Sequence, residues 1–288
     1  MSWSMIIENV TYSLDNLADV GVGEFDEVGM APIEYFTESG AQQMGATVRG
    51  YRLRPRTIPL VIWAVEKTKT AYWGKRDEIL RMFRPGRMIL LKKTLPDGGV
   101  RQIVGYMSGG MTLGSRERKN WTQKIGLTLF CPDPLWYDPT PVTFTNTATV
   151  DDDHPENAVF DIPYTGSADT YPVITLESAN TAEKPMVNPS IYEDEGGDTL
   201  AMTIDLYDGY GVQFNLEYGI KTLVDSSLVN QIGVLSALSG LSTFRLHAAV
   251  NGGATRDNHW TVSATSDLAL HAYTYTITVT YFKRYLGI

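Results

Sequence analysis

The stretch TITVTYFKRYLGI (276–288) decides the fold class. β-Branched residues alternate with polar and aromatic ones almost to the last residue, which is the signature of a strand. A chain end of this kind is tied into a sheet, because an unpaired terminus would fray. A second phrase, LTLFCPDPLWYD (127–138), reads as a strand running into a proline-rich stop. Neither phrase carries a catalytic group. Working outward, 16 Tyr and an aromatic share of 11%, with hydrophobic residues at 43% and charged ones at 20%, describe a globular, mainly β chain.

At 288 residues the chain exceeds what one ordinary core fills, so two domains are expected. The expected boundaries are a first domain over 1–140, a linker over 141–170 and a β-sandwich over 171–288. The linker expectation comes from the four prolines of PDPLWYDPTP (132–141) and the acidic, proline-bearing composition of NTATVDDDHPENAVFDIPYTGSADTYP (146–172). In the first domain, TVRGYRLRPRTIPLVIWAVE (47–66) reads as strand, with Pro59 placing it at an edge or bulge. Residues 70–84, TAYWGKRDEILRMFR, predict a helix with Trp73, Ile79, Leu80 and Phe83 on one face, stopped by Pro85 and Gly86. A hairpin is expected around Pro96–Gly99. Beyond Val173, short alternating segments separated by turn signals every eight to twelve residues predict a sandwich, with 276–288 as its last strand.

Charge is unevenly distributed. Residues 1–48 hold eight acids and no Lys or Arg, residues 49–145 carry a net +11, and residues 146–288 a net −12. A basic segment between acidic ones could bind nucleic acid or face acidic surface on another copy of the chain. The second is favoured, because acidic flanks repel a phosphate backbone. The candidate interface charges are Arg49, Arg52, Arg54 and Arg56, with Glu24, Asp26 and Glu27 as their acidic counterparts. The N-terminal MSWSMIIENV lacks a basic leader and no apolar run is long enough for a membrane span, so folding in a cytoplasm without membrane insertion is expected. The lone Cys131 reads as a small buried hydrophobe.

A search for chemistry returns little. His154, His247, His259 and His271 show no metal-ligand spacing, and neither Asp151–Asp153 nor Glu193–Asp198 follows a calcium-loop pattern. There is no phosphate-cradling loop and no serine elbow. Paired carboxylates for glycoside cleavage are unsupported by any pattern. No enzyme activity, cofactor or metal is therefore expected. Tyr192, Tyr207, Tyr210 and Trp260 could stack on sugar rings or fill a sandwich core, with Tyr210 and Trp260 as the candidate glycan contacts.

Taken in order, YRLRPRTIPLVIW (51–63), RDEILRMFRPG (76–86), MILLKKTLPDGGVRQIVGYM (88–107), the DPLWYD phrase, YPVITLES (171–178) and VTYFKRYLGI (279–288) resemble the distal tail (Dit) protein family of siphophages. The resemblance covers about residue 40 to 288. It implies an N-terminal split-barrel-like β domain with one helix and a galectin-like or carbohydrate-module-like sandwich. It further implies a non-enzymatic virion protein whose first domains build a hexameric ring at the tail tip. The partners it implies are further copies of the chain, the tail tube protein, a tail hub or tail-associated protein, and a receptor-binding protein or host glycan.

Overall fold

In the computed structural model, which describes residues 2–14, 21–24, 29–111, 118–119, 122–151, 158–180, 185–237, 239–249, 255–264 and 272–288 (backbone alone at 21–24 and 118–119), the chain divides into two units. The first comprises Met1–Pro139 and Tyr285–Ile288, the second Thr140–Arg284.

The strands of the first unit are β1 (Ser2–Ile7), β2 (Val10–Ser13), β3 (Gly21–Glu24), β4 (Ile33–Glu38), β5 (Thr47–Leu53), β6 (Arg56–Val65), β7 (Met88–Thr94), β8 (Val100–Met107), β9 (Arg118–Lys119), β10 (Thr122–Cys131) and β11 (Trp136–Tyr137). Most join one curled, half-barrel sheet in the order β2-β1-β7-β8-β10-β6-β3. Period-two alternation buries Ile58, Leu60, Ile62 and Ala64 of β6 against Ile125, Leu127 and Leu129 of β10, along ten consecutive antiparallel pairs. Pro59 lies beyond the part of β6 that β3 covers, so its missing N–H costs no bond on that side. The DPLWYD phrase closes the core: Asp133 accepts the Leu135 N–H at 3.2 Å, and Trp136 is buried with its ring edge-on to Trp3 at 6.1 Å.

Helix α1 (Lys69–Met82) begins where the Thr68 hydroxyl accepts the Ala71 N–H. Its buried face is Tyr72, Ile79 and Met82, followed by Phe83, and the Tyr72 hydroxyl donates to buried Gln123. Of the expected face, Ile79 and Phe83 are buried, but Trp73 and Leu80 are each about 40% exposed and Tyr72 and Met82 take their place. The stripe through Tyr72 and Ile79 wins because the Tyr72 hydroxyl finds a polar partner inside, as a buried tyrosine requires.

The second unit contains β12 (Val142–Val150), β13 (Val159–Tyr164), β14 (Val173–Ser178), β15 (Met186–Val187), β16 (Ser190–Glu193), β17 (Thr199–Ala201), β18 (Asp205–Leu206), β19 (Gly211–Asn215), β20 (Thr222–Asp225), β21 (Arg256–Ser263) and β22 (Tyr273–Tyr281). Two sheets, β12-β22-β14-β19-β20 and β13-β21-β16-β17, share one apolar core. The segment 243–249 is irregular, although Phe244 and Leu246 are buried and Leu246 bridges Thr170.

Two boundary expectations are corrected. Residues 141–170 are not a linker: nine residues form β12 and six form β13. β12 is polar in composition because its outer face is a threonine row, Thr143, Thr145, Thr147 and Thr149, each opposite a threonine of β22, while Val142, Phe144, Ala148 and Val150 face inward. The closing stretch 276–288 also divides. Its strand β22 ends at Tyr281, Arg284 bridges Ala168 within the second unit, and Tyr285–Ile288 belong to the first. The short β23 (Arg284–Tyr285) marks this handover.

Candidate functional site

The sequence EYFTE (34–38) and the opening of the basic run, TVRGYRL (47–53), pair only with each other among the described strands. β4 and β5 thus form a two-stranded arm. Tyr35 lies opposite Tyr51, with ring centroids 6.5 Å apart, and a register shift between Phe36 and Thr37 twists the tip. No residue of the arm is fully buried: Tyr51 is 67% exposed, Tyr35 57%, Val48 58%, Phe36 47%, and Met44 at the tip is fully exposed. A two-stranded ribbon without a third layer is marginal in water.

Charge pairing compensates within the arm. Arg49 Nε meets Glu38 Oε2 at 2.7 Å. Glu34 takes both Arg52 and Arg54, the latter in a fork with Nη2 to Oε1 at 2.7 Å and Nε to Oε2 at 3.0 Å. Hydrogen bonds from Arg54 and then Arg52 hold the Glu34 carboxyl down at about 2. Arg52 also lies over the Phe36 ring at 5.5 Å. The arm therefore presents aromatic surface bordered by neutralised charge, and no unpaired cationic stripe of the kind that grips phosphates.

Of the four arginines expected on an interface, three stand on or beside this arm and the fourth does not. Arg56 is 3% exposed, its Nη1 donating to the Gly29 carbonyl at 3.1 Å and its Nη2 to that of Leu286 at 2.9 Å. It is a corrected assignment. Arg54-Pro55 breaks the strand, and Arg56 opens β6 on the inward parity shared with Ile58, Leu60, Ile62 and Ala64, a signal present in the sequence as plain alternation. Arg101 performs a related task, donating to the Gly287 carbonyl at 2.8 Å while its guanidinium stacks on Tyr285 at 3.8 Å. The Tyr285 hydroxyl donates to Asp138 of the DPLWYD phrase at 3.2 Å, and burial with the adjacent Asp138 charge pushes it up to about 12. These anchors were missed because an arginine among other polar and basic residues reads as surface charge. Of the acidic counterparts, Glu24 ends β3 and only its backbone is described; Asp26 and Glu27 lie outside the described residues.

The two glycan candidates separate as well. Trp260 is fully buried, edge-on to Phe244 at 4.8 Å and to Phe160 at 6.4 Å, so it cannot meet a sugar; its place follows from inward alternation with Asn258 and Val262. Tyr210 is half-buried and stacks on Tyr207 at 5.4 Å, with its hydroxyl 3.5 Å from Asp225. A polar hollow of about 290 Å³ opens beside this turn, lined in part by Glu177, Ser178, Asp208 and Ser226. Asp225 itself is committed to its own loop, accepting the N–H groups of Ser227 and Val229 and the Gln231 amide, bonds that hold its carboxyl below the usual range.

At the acidic tip 193–198, the buried Glu193 carboxylate accepts the N–H groups of Glu195 and Gly196 at 2.9 and 2.7 Å, so it serves the turn. Among the described residues no group of His, Cys, Asp and Glu is placed to hold a metal ion, and no helix is long and apolar enough to cross a membrane. Of the histidines, His259 pairs with Asp161 and His247 lies 3.4 Å from Glu193; His154 and His271 lie outside the described residues.

No protein-family profile and no curated protein matches the chain. Solved structures do. The crystal structure of the Dit protein (gp 19.1) of phage SPP1, described as a paradigm of the hub adsorption apparatus of phages infecting Gram-positive hosts, superposes with a TM-score of 0.66 at 17% identity, over 96% of this chain and 98% of that one. A chain of the phage P2 baseplate in its activated conformation with Ca aligns over 96% of this chain and 97% of its own, at 9% identity and a TM-score of 0.47, too distant to argue from. The chain shares the fold of that Dit protein, mainly β with a half-barrel first unit, as the sequence resemblance led one to expect.

Proposed function

We propose that this chain is a structural protein of a phage tail, assembling with further copies of itself into a hub ring through its first unit. The observation that carries the reading is the β4–β5 arm: two strands that pair only with each other among the described strands, with four large apolar side chains more than 45% exposed, on a Dit-type fold. Ring contacts are heterologous, so one surface of the arm meets a different surface on the next copy and the rotation closes. Six copies, the tail tube protein, the tail hub and a receptor-binding protein as neighbours, and a place in the virion assembled in a host cytoplasm are what the resemblance adds. The role asks for no catalysis.

Native mass spectrometry and negative-stain imaging of the full chain test this. A closed ring is expected, and Tyr35→Ser with Tyr51→Ser should abolish ring closure with circular dichroism unchanged. Free chains from the unaltered protein at high concentration, or rings that survive the double substitution, would overturn the assignment. A second reading, a glycan-contacting adaptor, draws only on the Tyr207–Tyr210 stack beside its polar hollow. Glycan-array binding abolished by Tyr207→Ala would support it, and a flat array would remove it.

A further inference from the structure

Sheet edges are where β proteins guard against unwanted pairing, and every edge but one in the described residues carries a guard. β2, β3 and β17 have four residues or fewer. β20 has four and is folded back upon, Val224 bridging Asn230. β13 carries Asp161 and Pro163, and the β4–β5 arm carries its arginines and glutamates. β12 has none of these. It runs for nine residues with no charge and no proline, pairs with β22 in unbroken register, and meets no described strand on its other side.

Its sequence also names what would cover it. VTFTNTATV (142–150) is a palindrome about Asn146 except at Phe144 and Ala148. Antiparallel pairing of two such strands across a two-fold axis at Asn146 sets Val142 against the partner's Val150, Thr143 against the partner's Thr149 and Thr145 against the partner's Thr147. At the one mismatch, a large Phe144 meets a small Ala148, which conserves volume in the inner layer. The outer row repeats the pairing already present inside the chain, where Thr147 and Thr276 hydroxyls lie 2.9 Å apart and Thr145 and Thr278 3.4 Å. Because the outer face is threonine throughout, the edge favours pairing in register over indiscriminate apolar association.

We infer that β12 is a self-complementary edge through which two copies of this chain join, their five-stranded sheets merging into one of ten strands. The contact is isologous, so it stands apart from the heterologous ring contact of the arm. It pairs free chains into dimers, and it would pair rings face to face as double rings.

The test is a charge exchange in the full chain, read by analytical ultracentrifugation and native mass spectrometry. The unaltered protein should show species with even copy number. Thr145→Lys with Thr147→Lys sets lysine against lysine across the axis and should halve the mass, leaving circular dichroism unchanged because both positions are exposed. Mixing that variant one to one with Thr145→Glu and Thr147→Glu should restore the doubled mass, each pair holding one chain of each kind. Slowed amide exchange along 142–150 should accompany the doubled form. A lysine variant that keeps the full mass, a mixture that stays halved, or an unaltered chain that never doubles would overturn the inference. The arm variant Tyr35→Ser with Tyr51→Ser should still pair, so the two contacts fail independently.

Discussion

Two hairpins of the first unit share a topology and differ in what holds them. β7–β8 turns tightly at Pro96–Gly99, where Gly98 sits at φ +86 and the Gly99 N–H meets Asp97 at 3.0 Å, and it buries Ile89, Leu91 and Ile103 completely. The β4–β5 arm has no fully buried residue and carries a tyrosine pair and three arginine–glutamate contacts. Hydrophobic burial fixes the first hairpin; the second is held by exposed charge pairs, each of which contributes little. The difference teaches that a segment can be well paired in hydrogen bonds and still be energetically incomplete.

Substitutions sharpen this contrast. Leu91→Ala should cost about 2–5 kcal/mol in denaturant unfolding, because the cavity opens in a close-packed sheet face. Arg56→Met, which keeps the bulk but strands the carbonyls of Gly29 and Leu286, should cost about 1–3 kcal/mol, with faster amide exchange at 285–288 as its local mark. Tyr51→Ser should shift the unfolding free energy of the isolated chain by less than about 0.5 kcal/mol while lowering the sedimentation coefficient of the assembled form. Acid supplies the mildest perturbation. Glu34 falls from the ordinary 4.5 to about 2 in the folded arm, so its contribution is complete above pH 4.5 and drains away as pH falls towards 2. Amide exchange in 33–38 and 47–53 should quicken over that window, and added salt should blunt the effect because the pairs are exposed. An arm as resistant to acid and to Tyr51→Ser as β7–β8 would erase the contrast.

The sequence made much of the frame readable, and the failures have physical causes. The hairpin at Pro96–Gly99, the closure at DPLWYD and the helix before Pro85 are local signals, set by turn chemistry and proline. The parity of the inner face was harder. Arg56 reads as surface charge by residue type and Trp260 leaves sugar stacking and core open, yet each sits on the inward count of its strand. β12 was hidden because threonine on the outer face and Asn146 and Ala148 within it dilute the apolar signal that composition averages measure. Of the interface candidates, the arm residues Arg49, Arg52 and Arg54 come together with Glu34 and Glu38, partners that only cross-strand register brings near.

The return of the chain to the first unit at Tyr285 has a practical consequence for dissection. The second unit is an insertion held by two covalent crossings, at 139–140 and 284–285, so a single protease nick leaves it attached. A fragment ending at Pro139 would leave Arg56 without the Leu286 carbonyl and Arg101 without that of Gly287. Supplying residues 285–288 through a short loop after Pro139 should recover a soluble first unit where the plain truncation aggregates.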